Sequence, residues 1–319
     1  MGKEVISVLC ATDNNYASLC GIMLTSLYET NRQNKVATYI LTEGLSQRNR
    51  SKFAKFARRY QASIEIITVT DTRIADCPLK SSDHVTLAAY LRILGPDLLP
   101  ENLERIIYLD CDILVNKPLN GLWHTDLAGN ITGAVHESEQ KQASQRLFHN
   151  ETMPYYNSGV LLIDLKLWRK AHITDRCFKY IEENRLNKDK ILYHDQDALN
   201  TILVGHILPL PLIYNLQTPY LLSDRSFNLK QDSDERALAI KEEPVIIHYC
   251  TNQKPWDWYL PSYPYKYRRE QFRKCSLWRH LPIKVPLKKR ICRRLLAICW
   301  TLGIKKSPDV YIDIPDIIR

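Results

Sequence analysis

Three short strand-like runs, separated by two helical patterns within the first 70 residues, constrain this chain more than any other feature. Residues 5–11, VISVLCA, are apolar almost throughout, which is the pattern of a strand buried on both faces. In residues 16–29, Leu19, Met23, Leu24 and Leu27 recur at helical spacing. Residues 36–41 read as a second strand, 46–60 as a cationic helix opened by the capping residue Ser46, and 63–69 as a third strand. A β-α-β-α-β order implies parallel strands joined by right-handed crossovers. It also puts ligand contacts at the carboxyl ends of the strands. At that end of the first strand stands Thr12-Asp13-Asn14-Asn15, a cluster suited to a turn and a helix cap.

Further along, residues 87–94 read as a helix, 105–109 as an apolar strand and 113–115 as its extended continuation. Residues 131–135 and 159–163 are expected to be strands, 173–183 and 196–204 helices, and 245–247 a late strand ending at His248. The expected fold is therefore α/β, a mixed sheet flanked by helices.

Glycine scarcity removes two function classes. There are ten glycines in 319 residues, and the turn after the first strand holds none. A Walker-type NTPase or a dinucleotide-dependent dehydrogenase needs a glycine-rich turn there. The nine cysteines are scattered with no CxxC pair, against a zinc ribbon or thioredoxin-type site and in favour of a reducing compartment. The first apolar run is too short for a signal peptide, and no apolar stretch approaches the roughly 20 residues of a membrane span. A cytoplasmic protein with peripheral membrane contact is expected.

Charge is unevenly placed. Of the net +9, residues 265–306 contribute 14 Lys/Arg against one acid, Glu270, and leave the rest of the chain mildly acidic. Within that segment Leu287, Ile291, Leu295, Ile298 and Leu302 follow helical spacing, with Lys288, Lys289, Arg290, Arg293 and Arg294 between them and Trp300 near the apolar side. A basic amphipathic helix of this kind suits an anionic membrane surface. A helix packed on the catalytic domain is the alternative. Nucleic acid is disfavoured, because the body is acidic and no nucleic-acid motif is present. The expected division is 1–262 as catalytic domain and 263–319 as a membrane-association segment.

Several polar groups stand where chemistry is expected. Asp110-Cys111-Asp112 directly follows an apolar strand, and two carboxylates so placed can hold a hard divalent cation. The D-x-D spacing recurs at Asp195/Asp197 and Asp232/Asp234, so spacing alone leaves a solvated strand end equally open. His248 reads as a third metal ligand or as a satisfied core histidine. Lys254 is either in reach of a phosphate or a solvated charge. Asn157, at the entrance of a strand, serves a turn or faces sugar hydroxyls. Asp195 is either a helix N-cap or part of a sugar pocket with Gln196.

In order, Ala11-Thr12-Asp13-Asn14-Asn15-Tyr16, Tyr90-Leu91-Arg92, Tyr108-Leu109-Asp110-Cys111-Asp112, Tyr156-Asn157-Ser158-Gly159, His194-Asp195-Gln196-Asp197 and His248-Tyr249-Cys250…Lys254-Pro255-Trp256 strongly resemble glycosyltransferase family 8. The resemblance covers about residues 5–260 and is strongest to bacterial lipopolysaccharide and lipooligosaccharide α-galactosyl- and α-glucosyltransferases. It implies a GT-A fold and retaining transfer from a UDP-hexose, galactose ahead of glucose, with Mn²⁺ as metal. By the same resemblance Asp110, Asp112 and His248 coordinate the metal, and Ala11, Asp13, Asn15 and Tyr16 hold uracil and ribose. Lys254 contacts the diphosphate, and Cys111 belongs to the donor site. Arg92, Asn157, Asp195 and Gln196 surround the donor sugar. Asp195 and Gln196 are rival candidates for the group beside the anomeric carbon. The implied acceptor is a surface glycolipid or oligosaccharide, and the implied place is the cytoplasmic face of a bacterial inner membrane. Thr251 stands where the family commonly has glycine. A nucleotide-sugar hydrolase and an inactive UDP-sugar-binding protein of the same fold are the competing functions.

Overall fold

Strand β1 (Val5–Ala11) is buried along six of its seven residues, and its side chains serve two cores. Ile6, Val8 and Cys10 face one apolar cluster, while Leu9 and Ala11 face the other. A strand covered on both sides must be internal to its sheet. The computed structural model describes residues 4–79, 86–187, 189–221, 233–251, 254–256, 265–280 and, beyond these, 291, 292, 294–296, 298, 299 and 302–304.

After β1 come α1 (Ala17–Thr30), β2 (Lys35–Thr42), α2 (Gln47–Tyr60), β3 (Ser63–Thr68), α3 (Leu91–Leu98), β4 (Arg105–Leu109) and β5 (Ile113–Val115). They are followed by α4 (Asn120–Trp123), β6 (Thr132–His136), α5 (Gln140–Phe148), β7 (Tyr156–Asp164), α6 (Leu165–Lys170) and α7 (Ile173–Asn184). Then come α8 (Asp195–Ile202), β8 (Ile207–Pro209), β9 (Leu216–Gln217), α9 (Ser233–Lys241), β10 (Ile246–His248) and α10 (Lys266–Cys275). The main sheet has seven strands in the order β3-β2-β1-β4-β7-β6-β8. As the alternation predicts, β1, β2, β3 and β4 are mutually parallel. β7 runs antiparallel to both β4 and β6. Its start therefore lies at the edge where β1 and β4 end.

A second sheet, β5-β10-β9, brings the late strand to that edge. β10 pairs antiparallel with β5, and His248 is opposite Ile113. Since Ile113 directly follows Asp112, this register alone carries the imidazole to the D-x-D motif. The Tyr249 amide to the Asp112 carbonyl, 3.0 Å, locks the crossing.

Three boundaries differ from expectation. The helix expected at 87–94 is split into a 3-10 turn at Leu87–Tyr90 and α3. β7 begins at Tyr156, so Asn157 and Ser158 are strand residues and not a turn. His248 is the last residue of β10 and not the residue after it.

The basic segment is divided. Its first part is built into the domain: Trp278 is 1% exposed and lies against Phe53 and Phe56, with centroids 5.1 and 6.2 Å apart. Gly21 of α1 makes room for it, because a Cβ there would come within 2.3 Å of the indole. Farther on, the described positions between 291 and 299 are helical, and Ile291, Leu295, Ile298 and Leu302 are each more than half exposed. Leu287, Lys288, Lys289, Arg290, Arg293 and Trp300 lie outside the described residues. Among the described residues no helix is long and apolar enough to cross a membrane.

Candidate active site

The cavity at the carboxyl edge of β1 and β4 has a volume of about 710 Å³. Of the residues singled out from sequence, it brings together Ala11, Tyr16, Arg92, Asp110, Cys111, Asp112, Asn157, Asp195, Gln196, His248 and Lys254. Asp13 and Asn15 do not line it. Asp13 instead shapes the loop, its carboxylate accepting the Asn15 and Tyr16 amides at 2.8 and 2.7 Å. This turn ends in Tyr16, the cap of α1. Burial, then the nearby Asp112 and Asp13 carboxylates, push the Tyr16 phenol up to about 12.

The two D-x-D carboxylates leave the strand on one side of the crossing, and His248 approaches from β10. Ligand atoms of Asp110, Asp112 and His248 all lie within 4.8 Å of one another. His248 Nε2 is 3.2 Å from Asp112 and 3.8 Å from Asp110. Two carboxylates and an imidazole suit a divalent ion of the Mn²⁺ or Mg²⁺ kind, so the donor set fits the metal implied by sequence. The other imidazole nitrogen, Nδ1, is 3.1 Å from Asn215 Oδ1, a contact that fixes ring orientation. Gly159 keeps the floor of this cluster clear, since a Cβ there would collide with His248 and Asp110.

Two cations balance the acids. Arg92, 6% exposed, forms ion pairs of 2.9 Å with both Asp110 and Asp195. It also donates to the Ser158 carbonyl and hydroxyl at 2.7 and 3.0 Å. Burial works against its charge, but the two acids outweigh it and raise its affinity for the proton. Lys254 donates to Asp112 at 2.8 Å. Burial alone would raise the Asp112 carboxyl, yet Lys254 and His248 hold it well below the usual carboxylate range. Asp195 shows the opposite balance. Burial dominates over Arg92, and its carboxyl is pushed up to about 6.

α8 begins at Asp195, directly after His194, whose backbone has φ 54° and ψ −123°. That conformation is costly for a side-chain-bearing residue, and strain of this kind collects at functional sites. Asp197, fully buried, anchors the turn. It accepts from Arg146, the Tyr155 hydroxyl and the Leu192 and Tyr193 amides at 2.6 to 2.8 Å. With the turn held, Gln196 is oriented. Its Oε1 accepts the Ser158 amide at 2.9 Å, and its Nε2 donates to Glu137 at 3.1 Å and to the Tyr155 hydroxyl at 3.3 Å.

Glu137 and Asn215 received no role from sequence. Glu137 also accepts from Asn157 Nδ2 at 2.9 Å, so one carboxylate fixes both amides that face the cavity. Asn215 joins His248 to Asn157 Oδ1, donating at 2.9 Å. Both residues reach the site through irregular pairing. Glu137 follows a register shift between β6 and β7, and Asn215 precedes the two-residue β9. No periodic pattern marks such positions.

A buried arginine bridging two acids, three side chains placed so that they could hold a metal ion and a strained turn carrying Asp195-Gln196 make one polar cleft suited to a nucleotide diphosphate. The sequence profile described as Glycosyl transferase family 8 matches residues 7–258. The chain belongs to glycosyltransferase family 8. General stress protein A of Bacillus subtilis is 33% identical over 275 residues, 84% of this chain and 92% of that protein. The lipopolysaccharide 1,2-glucosyltransferase of Escherichia coli K12 is 30% identical over 258 residues, 80% and 73% of the two chains. A crystal structure of galactosyltransferase LgtC with donor and acceptor sugar analogs superposes with a TM-score of 0.73 at 26% identity, covering 89% of this chain and 99% of that one. The fold is GT-A, and the expected enzyme class, a hexosyltransferase, stands with the family.

Proposed function

We propose that this family 8 enzyme transfers a hexose from a UDP-hexose to a hydroxyl of lipopolysaccharide, lipooligosaccharide or another surface glycan, with retention of configuration and with Mn²⁺. Galactose is the preferred sugar and glucose the next. The observation that carries this reading is the convergence of Asp110, Asp112, His248, Lys254, Arg92 and Asp195-Gln196 on one cavity. The names of the glucosyltransferase and of galactosyltransferase LgtC supply the sugar class.

In this reading Ala11 and Tyr16 flank uracil and ribose, with Asp13 and Asn15 holding the loop that carries them. When bound by Asp110, Asp112 and His248, Mn²⁺ supplies positive charge to the departing diphosphate. Lys254 adds a further positive charge on that side. Arg92, Asn157, Asp195 and Gln196 receive the hexose. Retention requires the acceptor oxygen to arrive on the face the diphosphate leaves, or an intermediate on the enzyme. Asp195 is held by Arg92 and donated to by the Ser158 hydroxyl at 3.2 Å, a placement that blunts a nucleophile and suits electrostatic stabilisation. Gln196 is half-buried and directed by Glu137, which suits it to the sugar's anomeric side. The basic segment after residue 262 would hold the enzyme on the cytoplasmic face of a bacterial inner membrane, next to its acceptor.

The test is UDP release from a panel of UDP-sugars, with Mn²⁺ and with EDTA. Turnover of one UDP-hexose that needs metal and disappears in Asp112→Ala is the expected result. Binding of a UDP-sugar with no turnover under any metal would favour the inactive binder, and no binding at all would overturn the reading.

A further inference from the structure

None of the residues of the cationic helix α2 lines the cavity. Of its 14 residues six are Lys or Arg, and none is Asp or Glu. A solvated helix ordinarily mixes signs and gains from pairs three or four residues apart. Here Arg48, Lys52, Lys55 and Arg59 follow one another at steps of four, three and four, so like charges form one stripe. Arg48 and Arg50 also occupy the positive end of the helix dipole, where acids are favoured. Lys52 registers the crowding: partial burial first, then Arg48 and Lys55, lower its proton affinity. Such an arrangement costs stability, which the anchored apolar face beside it offsets. Phe53 and Phe56 are fully buried and grip Trp278.

That anchor ties the stripe to the basic segment. Lys52 lies 5.8 Å over the Trp278 ring, and Arg59 donates to the Cys275 carbonyl at 2.9 Å. Lys274 and Arg279, beside that junction, are exposed. At its other end the helix is stitched to the loop after β1, with the Ser46 amide donating to Asn14 Oδ1 at 2.8 Å. The stripe thus runs from beside the donor loop to the start of the segment whose Ile291, Leu295, Ile298 and Leu302 are exposed.

We propose that α2, fixed to residues 274–279, is a rigid docking surface for the headgroups of anionic lipids, distinct from the C-terminal amphipathic stretch. The inference rests on the membrane reading above but places part of the contact on the folded domain. A flat row of fixed cations complements a continuous anionic surface, and the exposed apolar positions that follow it suit the same interface. The surface sets the donor loop's side of the enzyme toward the bilayer.

Flotation of the full-length chain with vesicles of phosphatidylcholine, alone or mixed with phosphatidylglycerol, tests this. Two variants are compared: Arg48→Gln/Lys52→Gln/Lys55→Gln on α2, and Leu295→Ser/Ile298→Ser in the C-terminal stretch. UDP release with a soluble acceptor and thermal melting verify that each is folded and active. The expected result is binding only to vesicles containing phosphatidylglycerol. In the α2 variant it should weaken on the order of 100-fold, three charges at about 1 kcal/mol each, with soluble activity unchanged. Wild-type binding by the α2 variant, with loss only in the C-terminal variant, would overturn the proposal and leave the membrane reading intact. Loss in neither variant would overturn the proposal and leave the membrane reading to the other basic residues, and no vesicle binding by the wild type would overturn both. A raised KM for the UDP-sugar in the α2 variant, without change in vesicle binding, would reassign the stripe to electrostatic steering of the donor. Tighter, salt-sensitive binding to duplex DNA than to vesicles would reassign it to a polynucleotide.

Discussion

A methyl group added at Gly159 would lie 2.2 Å from His248 Cε1 and 2.8 Å from Asp110 Oδ2. Neither neighbour can retreat: His248 is fixed by strand pairing and Asn215, and Asp110 by Arg92 and by the Tyr108 hydroxyl at 2.9 Å. Gly159→Ala should therefore keep the fold and lower metal-dependent UDP release by about 100-fold, the scale on which displaced ligands lose metal. A melting curve close to wild type with that loss is the expected pairing, and wild-type activity would show that the triad tolerates displacement. Asn215→Ala acts one step farther out. It should weaken Mn²⁺ binding by roughly 10–100-fold, measured by calorimetric titration of the metal. Asp195 sets the acid limb of the pH profile. With its carboxyl at about 6, kcat/KM should fall tenfold per pH unit below that value. The sign for stability is the reverse. An acid whose folded value is raised destabilises the fold most when ionised, so its contribution is relieved as pH falls toward 4. Activity lost near pH 5 without a lower Tm would agree with this, and a parallel collapse of Tm would assign the limb to unfolding.

Elements explain what could and could not be read in advance. The alternation of residues 5–69 was enough for β1, α1, β2, α2 and β3: β1, buried on both faces, is a continuous apolar run, while β2 and the edge strand β3 show as β-branched stretches between the helices. Asp110 and Asp112 were legible for the same reason, since they end such a run. Glu137 and Asn215 were not, because a register shift and a two-residue strand deliver them. The basic segment misled in another way. Its charge suggested one membrane-seeking unit from residue 263, but α10 and Trp278 pack on α1 and α2. Charge composition reports on the surface of an element, and Trp278 is anchored through the apolar face that composition hides. Trp278→Ala should accordingly destabilise the domain by about 3–5 kcal/mol, the cost of emptying a large core site, measured by denaturant unfolding. Ending the chain after residue 282 should leave a folded enzyme active on a soluble acceptor. Ending it at residue 264 should not, since it removes the indole from between Gly21, Phe53 and Phe56.

At the scale of the whole molecule, two sheets and a helix contribute to the cleft without being continuous with one another. The turn directly after β4 supplies Asp110 and Asp112, β10 supplies His248, and α8 supplies Asp195 and Gln196. Lys254 reaches in from beyond β10 to Asp112. The excess negative charge of Asp110 and Asp112 is shared by Arg92 and Lys254, so the separate parts are held together partly by ion pairs across the cleft. A divalent cation and a nucleoside diphosphate bring one positive and one negative partner to this set. They should bind the folded state cooperatively, because the diphosphate offsets the cations that the metal displaces from the carboxylates. A ligand that binds only the folded protein stabilises it by RT ln(1 + [L]/Kd), about 2.7 kcal/mol at a hundredfold excess over Kd. Thermal melting with UDP and Mn²⁺ together should therefore show a larger rise in Tm than the two rises measured separately added together. In Asp110→Ala the shift with both ligands should fall to that of UDP alone. Additive shifts in the wild type would mean that metal and nucleotide bind apart, and would remove the diphosphate from the Asp110, Asp112 and His248 cluster.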